Sequence, residues 1–150
     1  RQMCIRDRVG VLDESGMEPV QNRIEKLPFM DWRQLPAVIA GLDINLMPLE
    51  NSLFHWCKSE NKWTEAALVK VPSVMSRNCE MEYVVENGKD GWMCTTKEEW
   101  VNALEALVTD EKARKAMGEA AHQKVMEHYL TVNTGKDAME ELLCSESYTK

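Results

Sequence analysis

The chain has 150 residues, enough for one modest domain or a piece of a larger one but not for two complete domains. With 44% hydrophobic and 29% charged residues it can fill a core, and it lacks the composition of a disordered tail. Its net charge of −7, from 18 basic and 25 acidic side chains, argues against nucleic acid as a partner and against nonspecific binding to an anionic membrane, while permitting a local basic pocket.

No apolar run approaches the ~20 residues that span a bilayer, and the opening residues do not read as a secretory signal. The expectation is a cytoplasmic protein, with which a peripheral membrane contact of the full-length protein is compatible. Cysteines 4, 57, 79, 94 and 144 form no C-x-x-C pair and leave an odd count. Reduced thiols are therefore expected, with no metal site and no disulfide framework.

In chain order, residues 1–8 show neither periodicity nor turn logic and read as a non-native leader, the native segment beginning near Val9. Residues 9–12 predict a brief strand, 13–21 a loop, and 23–29 a weaker strand ended by Pro28. Leu35, Val38, Ile39 and Leu42 follow the i, i+3, i+4, i+7 spacing of one helical face, with Asp31 as N-cap and Gly41 as stop. A strand over 43–48 and a loop over 49–58 come next. Ser59 is then expected to cap a helix that buries Trp63, Ala66, Ala67 and Val69. Residues 72–76 predict a strand, 80–86 a short helix closed by Asn87-Gly88, and 91–94 a last strand. Thr96 and Glu99 form a T-x-x-E capping box for a helix whose apolar side holds Trp100, Leu104, Leu107 and Val108. Helices over 110–129 and 137–143 complete the pattern, the latter within a C-terminal helical tail over 131–150. Strands alternating with helices at these intervals imply an α/β domain with a Rossmann-like parallel sheet and flanking helices. In such sheets ligands bind beyond the carboxyl ends of the strands. The loops after Leu12, Phe29, Pro48, Ser76 and Cys94 are therefore where chemistry is expected.

The densest chemical signal runs from Pro48 to Ala66. A helix N-terminus presents unpaired N–H groups and the positive end of a dipole, which suits phosphate. Lys58 and Lys62 add cations at an end where positive charge is unfavourable without an anion. Lys58 therefore wants a ligand, or Glu60, to offset it. Glu65, further along the helix, is placed to accept both hydroxyls of a ribose, as acidic side chains do in dinucleotide folds. On pattern alone a plainer reading leads, in which both lysines are solvated surface charges and Glu65 pairs with one of them. His55 reads as an ordinary loop histidine and Cys57 as an unactivated thiol. Trp63 and Trp100 read as core, whereas Trp32, Trp56 and Trp92 lie near loops or a strand.

From Leu35 onward the sequence resembles the C-terminal, donor-binding domain of bacterial GT-B glycosyltransferases of the group 1, or family four, lineage. The segments that carry the resemblance are LPAVIAGLDINLMPLE, CKSENKWTEAALVKVPSVMS, ENGKDGWMC and EEWVNALEALVTD, in that order. The resemblance covers most of residues 9–130 and shifts the balance toward a ligand-binding role for Lys58 and Glu65. It implies that Glu65 is the second glutamate of an E-x7-E motif and contacts the ribose of a nucleotide sugar. Lys58, Ser59 and Lys62 would hold its diphosphate, and the loop from Phe29 to Trp32 would lie beside the base. The first glutamate of that motif falls at Cys57, so the strict motif is absent, and Glu50 or Glu60 would have to supply the donor-sugar contact. The resemblance further implies a nucleotide-diphosphate sugar as co-substrate with no other cofactor, and a glycan or lipid-linked acceptor. It implies a partner N-terminal GT-B domain outside this chain, a donor sheet lacking its first strand, and no transfer activity for residues 1–150 alone.

A response-regulator receiver is the rival from another class. LDINLMP is similar to its phosphoacceptor strand, with Asp43 as acceptor, Asp13-Glu14 as the acidic pair, and Ser76 and Lys97 as switch residues. Against it, Asp43 would begin its strand, whereas a phosphoacceptor should end one. A noncatalytic Rossmann-like module is the third reading.

Overall fold

The computed structural model describes residues 8–9, 18–50, 52–130, 132 and 134–135. Two short strands, β1 (Arg8–Val9) and β2 (Lys26–Leu27), pair in parallel. Of the expected first strand, residues 10–12 lie outside the described residues, as does the helix expected over 137–143. The second strand is shorter than its apolar pattern suggests. A 3-10 helix, Glu18–Arg23, occupies residues expected as loop and strand start, and Pro28 follows Leu27 without an N–H to extend the ladder.

Asp31 caps as expected, its carboxylate accepting the Arg33 N–H at 2.9 Å. It does so at the head of a 3-10 turn, Trp32–Gln34, that leads into α1 (Leu35–Ala40). Proline falls in the first turn of α1, where a missing N–H costs nothing, and Gly41 closes the helix.

The main sheet is parallel, with β3 (Asn45–Met47), β4 (Ser73–Ser76) and β5 (Trp92–Cys94) in that order. The register sets Met47 beside Met75 and Met75 beside Met93. Successive strand side chains face opposite ways, so these methionines share one face while Val74 and Cys94 take the other. The methionine face packs on Trp63 and Ala67 of α3 (Asn61–Leu68), Met81 and Val84 of α4 (Cys79–Val84), and Ala121 and Val125 of α6 (Glu111–His128). Unbranched thioethers suit that face because they adapt to the large indole beside them. Val74 and Cys94 pack on Ala103 and Leu107 of α5 (Lys97–Thr109) and on Met117. A parallel sheet covered on both faces is the Rossmann-like arrangement expected.

Three details differ from the sequence expectation. Helix α3 begins after Glu60, not Ser59, and no side chain caps it. The hydroxyl cap is instead at Ser52, which accepts the His55 N–H and starts an extra helical turn, α2 (Leu53–Trp56), inside the expected loop. Val108 is exposed rather than buried, because the second face of the sheet is filled by Leu104 and Leu107 with Trp100 at its margin.

Two anchors fix the layers. Trp63 is fully buried, and its indole N–H donates to the Asp90 carbonyl at 2.9 Å. The buried Asp90 carboxylate accepts the Glu86 N–H at 2.8 Å and the Lys124 ammonium at 2.7 Å, tying the turn before β5 to α6. Both its oxygens are thereby engaged, as a buried carboxylate requires. The second anchor is a close approach. A Cβ on Gly118 of α6 would overlap the carbonyl of Lys70, a residue itself at φ 62°.

Gly118→Ala should therefore cost at least the ~1–3 kcal/mol typical of overpacking, seen as a lower urea midpoint. An unchanged midpoint would mean that α6 does not pack this closely. The capping box of α5 supplies a pH test. Glu99 is held below the ordinary carboxylate range chiefly by the Thr95 N–H, then by that of Thr96. A folded-state pKa below the unfolded one gives stability that is present above the unfolded value and lost as pH falls through the folded one. The stability gap between wild type and Glu99→Gln should thus shrink between about pH 7 and about pH 3. A gap independent of pH would contradict the box.

Candidate functional site

Where β3, β4 and β5 end, the chain turns into Pro48-Leu49-Glu50, Arg77-Asn78-Cys79 and Thr95. These three loops wall a cleft of about 540 Å³, closed by His55 from α2 and Trp100 from α5. That size suits a small molecule, for which sites run ~300–1,000 Å³. The cleft lies at the carboxyl ends of parallel strands, where α/β sheets bind ligands.

The wall loops are braced. The Ser76 hydroxyl accepts the Leu49 N–H at 2.8 Å and donates to the Leu49 carbonyl at 3.2 Å, joining the end of β4 to the loop that carries Glu50. The Asn78 carboxamide oxygen accepts the Met81 N–H at 2.8 Å and caps α4, one residue earlier than the sequence suggests. Arg77 pairs with Glu82 at 3.0 Å. Burial pushes the Cys94 thiol above its ordinary range, with the Glu99 charge adding and Arg77 opposing. Cys94 is therefore a protonated wall residue rather than a nucleophile.

A second cleft of about 540 Å³ opens at the opposite ends of the strands, beside Asp43, Lys70, Pro72 and Arg114. Its charges are already matched, Asp43 with Arg114 at 3.5 Å and Lys70 with Glu119 at 2.8 Å. Asp43 thus precedes β3 and sits at its amino end, away from any strand-end acidic pocket. That geometry removes the receiver reading, of which Asp13-Glu14 lie outside the described residues.

Of the residues singled out in the sequence, Glu50 lines the first cleft. Lys58, Ser59, Lys62 and Glu65 are exposed on the α2–α3 connection and on α3, and they do not line it. Lys58 holds its ammonium 4.7 Å from the centre of the Phe54 ring. Both lysines are exposed, as the plainer reading has them, but neither pairs with Glu65 among the described residues. Phe29 and Trp32 are exposed at 92% and 71%, with the Arg33 guanidinium 4.8 Å from the Trp32 ring centre. His55, read as an ordinary loop histidine, lies on α2 and lines the cleft. Arg77, Asn78 and Thr95 were missed as individuals, and Ser76 was singled out only as a switch residue of the receiver reading. The rule that strand-end loops carry chemistry is what points to all four. Among the described residues no group of three or more His, Cys, Asp or Glu side chains is arranged to hold a metal, and no helix is long and apolar enough to cross a membrane.

A parallel sheet covered by helices on both faces, with a cleft at the carboxyl ends of its strands, defines a Rossmann-like class of α/β protein. Within that class, a family model for group 1 glycosyl transferases matches residues 9–110, and the chain belongs to that family. No curated protein matches it in sequence. The fold is similar to that of Anabaena Alr3699/HepE in complex with UDP and glucose, at a TM-score of 0.69 and 18% identity over 84% of this chain and 33% of that one. It is also similar to the C-terminal domain of the Francisella tularensis group 1 glycosyl transferase LpcC, at 0.58 and 17% over 77% of this chain and 58% of that one. Sucrose-phosphate synthase from Thermosynechococcus elongatus matches at 0.65 and 12%, over 87% and 32%. The chain thus spans about a third of the length of HepE and of the synthase.

The Ser76 brace yields a direct expectation. Ser76→Ala leaves the Leu49 N–H without its partner, at ~1 kcal/mol for a lost hydrogen bond. Hydrogen exchange at Leu49 should accelerate by about fivefold or more, given that energy, while the core amides of β4 keep their protection. Equal exchange at Leu49 in both proteins would refute the brace.

Proposed function

We propose that the full-length protein is a cytoplasmic glycosyltransferase that takes a sugar from a nucleotide-diphosphate donor, this chain supplying donor-binding surface. The observation that carries this reading is the strand-end cleft in a chain of group 1 glycosyltransferase family. The acceptor is a cell-envelope glycan or a lipid-linked intermediate, and no metal takes part. HepE, which shares the fold, was crystallised with UDP and with UDP-glucose, which supports a nucleotide sugar as ligand.

The residues divide the ligand by chemistry. Lys58 and Lys62 have no carboxylate partner among the described residues, and near α3 they offer positive charge to a diphosphate. Ser59 adds a hydroxyl donor. Glu65, acceptor-only when ionised, matches the paired hydroxyl donors of a ribose. The exposed rings of Phe29 and Trp32 offer stacking surface to a base. Glu50, in the cleft wall, is the acceptor for sugar hydroxyls left by the absence of a glutamate at Cys57. An N-terminal partner domain would bring the acceptor to this face.

Calorimetry and transfer assays on the full-length protein with UDP-, GDP- and dTDP-sugars test the reading, which fails if none is bound and none is used. Glu65→Gln should weaken nucleotide binding by about tenfold, the loss of one charge-assisted hydrogen bond, without altering the thermal melt. Lys58→Ala should weaken nucleoside diphosphate binding more than nucleoside binding, because only the diphosphate carries the charge it meets. Unchanged affinities in both variants would return these side chains to the solvated surface.

A further inference from the structure

Residues 52–55 hold an arrangement that neither the family nor the sequence pattern assigns. Ser52 caps α2, its hydroxyl oxygen accepting the His55 N–H at 3.4 Å, and the same oxygen lies 2.7 Å from His55 Nδ1. A hydroxyl has one proton to give. Among the described residues Nδ1 and the backbone N–H of His55 are the groups bonded to the Ser52 hydroxyl, and either partner can donate across the Nδ1 contact. With the O–H turned toward Nδ1, the ring nitrogen is the acceptor. A ring nitrogen that accepts carries no proton, so the neutral imidazole bears its proton on Nε2. Nε2 has no partner among the described residues, and Phe54 packs edge-on against the ring at 5.3 Å. The ring lines the cleft.

We infer that Ser52 holds His55 so that its Nε2–H donates to a phosphoryl oxygen of the nucleotide diphosphate, an inference that rests on the donor-binding reading above. Beside the charges that Lys58 and Lys62 offer from outside the cleft, a donor on the cleft wall suits the cleft's own charges. Its one lysine or arginine, Arg77, pairs with Glu82 at 3.0 Å, and Glu50 is a further carboxylate on the wall. An anion entering there gains most from donors that bring no acceptor with them. An imidazole N–H whose other nitrogen is already occupied is such a group, oriented before the ligand arrives.

Two measurements on the full-length protein test this. Long-range proton–nitrogen correlation spectra of the labelled imidazoles should show His55 in the Nε2–H form without ligand, and Ser52→Ala should raise the share of the Nδ1–H form. A wild-type ring protonated on Nδ1 overturns the inference. In calorimetry, His55→Ala should weaken UDP binding about tenfold, as for one hydrogen bond to a charged group, and leave uridine binding unchanged. His55→Gln, whose amide can take the place of Nε2–H, should retain most of the affinity. Equal UDP affinity in wild type and His55→Ala overturns the inference while leaving the donor-binding reading intact. An effect on UDP-glucose but not on UDP moves His55 to the sugar and overturns the phosphoryl assignment. If wild type binds none of UDP, GDP and dTDP, the donor-binding reading itself falls, and this inference with it.

Discussion

β4 lies between β3 and β5 and is paired on both edges, so its adjacent residues Val74 and Met75 must satisfy two packing layers at once. Parallel strands cannot leave a face to water in the way antiparallel ones can, because their crossover helices cover both sides. Val74 meets α5, and Met75 meets the layer of α3, α4 and α6. The same register that matches Met47, Met75 and Met93 also brings the ends of the three strands to within one residue of level. Level ends send three loops out side by side, and the cleft between them is a consequence of that register.

The cleft needs its walls held, and each wall is held differently. Ser76 clamps the loop after β3 through both polar groups of Leu49. Asn78 caps α4 and so turns the loop after β4. Thr96 and Glu99 exchange hydrogen bonds across the first turn of α5, which fixes the loop after β5. Further from the cleft, the indole of Trp63 and the carboxylate of Asp90 join the methionine layer to α6. These are short polar contacts on apolar scaffolding. They define where the loops around the cleft stand.

How much of this was legible follows from the range of each interaction. The capping box, the Asp31 cap and the boundaries of α5 and α6 depend on neighbours three or four residues away, and their spacing shows in the chain. The start of α3 was misplaced by one residue. Two serines, Ser52 and Ser59, precede helical stretches seven residues apart, and local pattern does not choose between them. The grouping of His55 with Arg77 and Thr95 spans separate strand ends, and no local pattern encodes it.

By itself the sequence determined the alternation of strands and helices, the parallel class of sheet, and the family resemblance that residues 9–110 bear out. Those are properties of periodicity and order along the chain, and burying a stripe or a face suffices to enforce them. Which polar side chains share a cleft was decided by the tertiary structure alone. The brace between Ser76 and Leu49 acts across 27 residues. A hydrogen bond at that separation exists only once hydrophobic burial has brought its partners within about 3 Å.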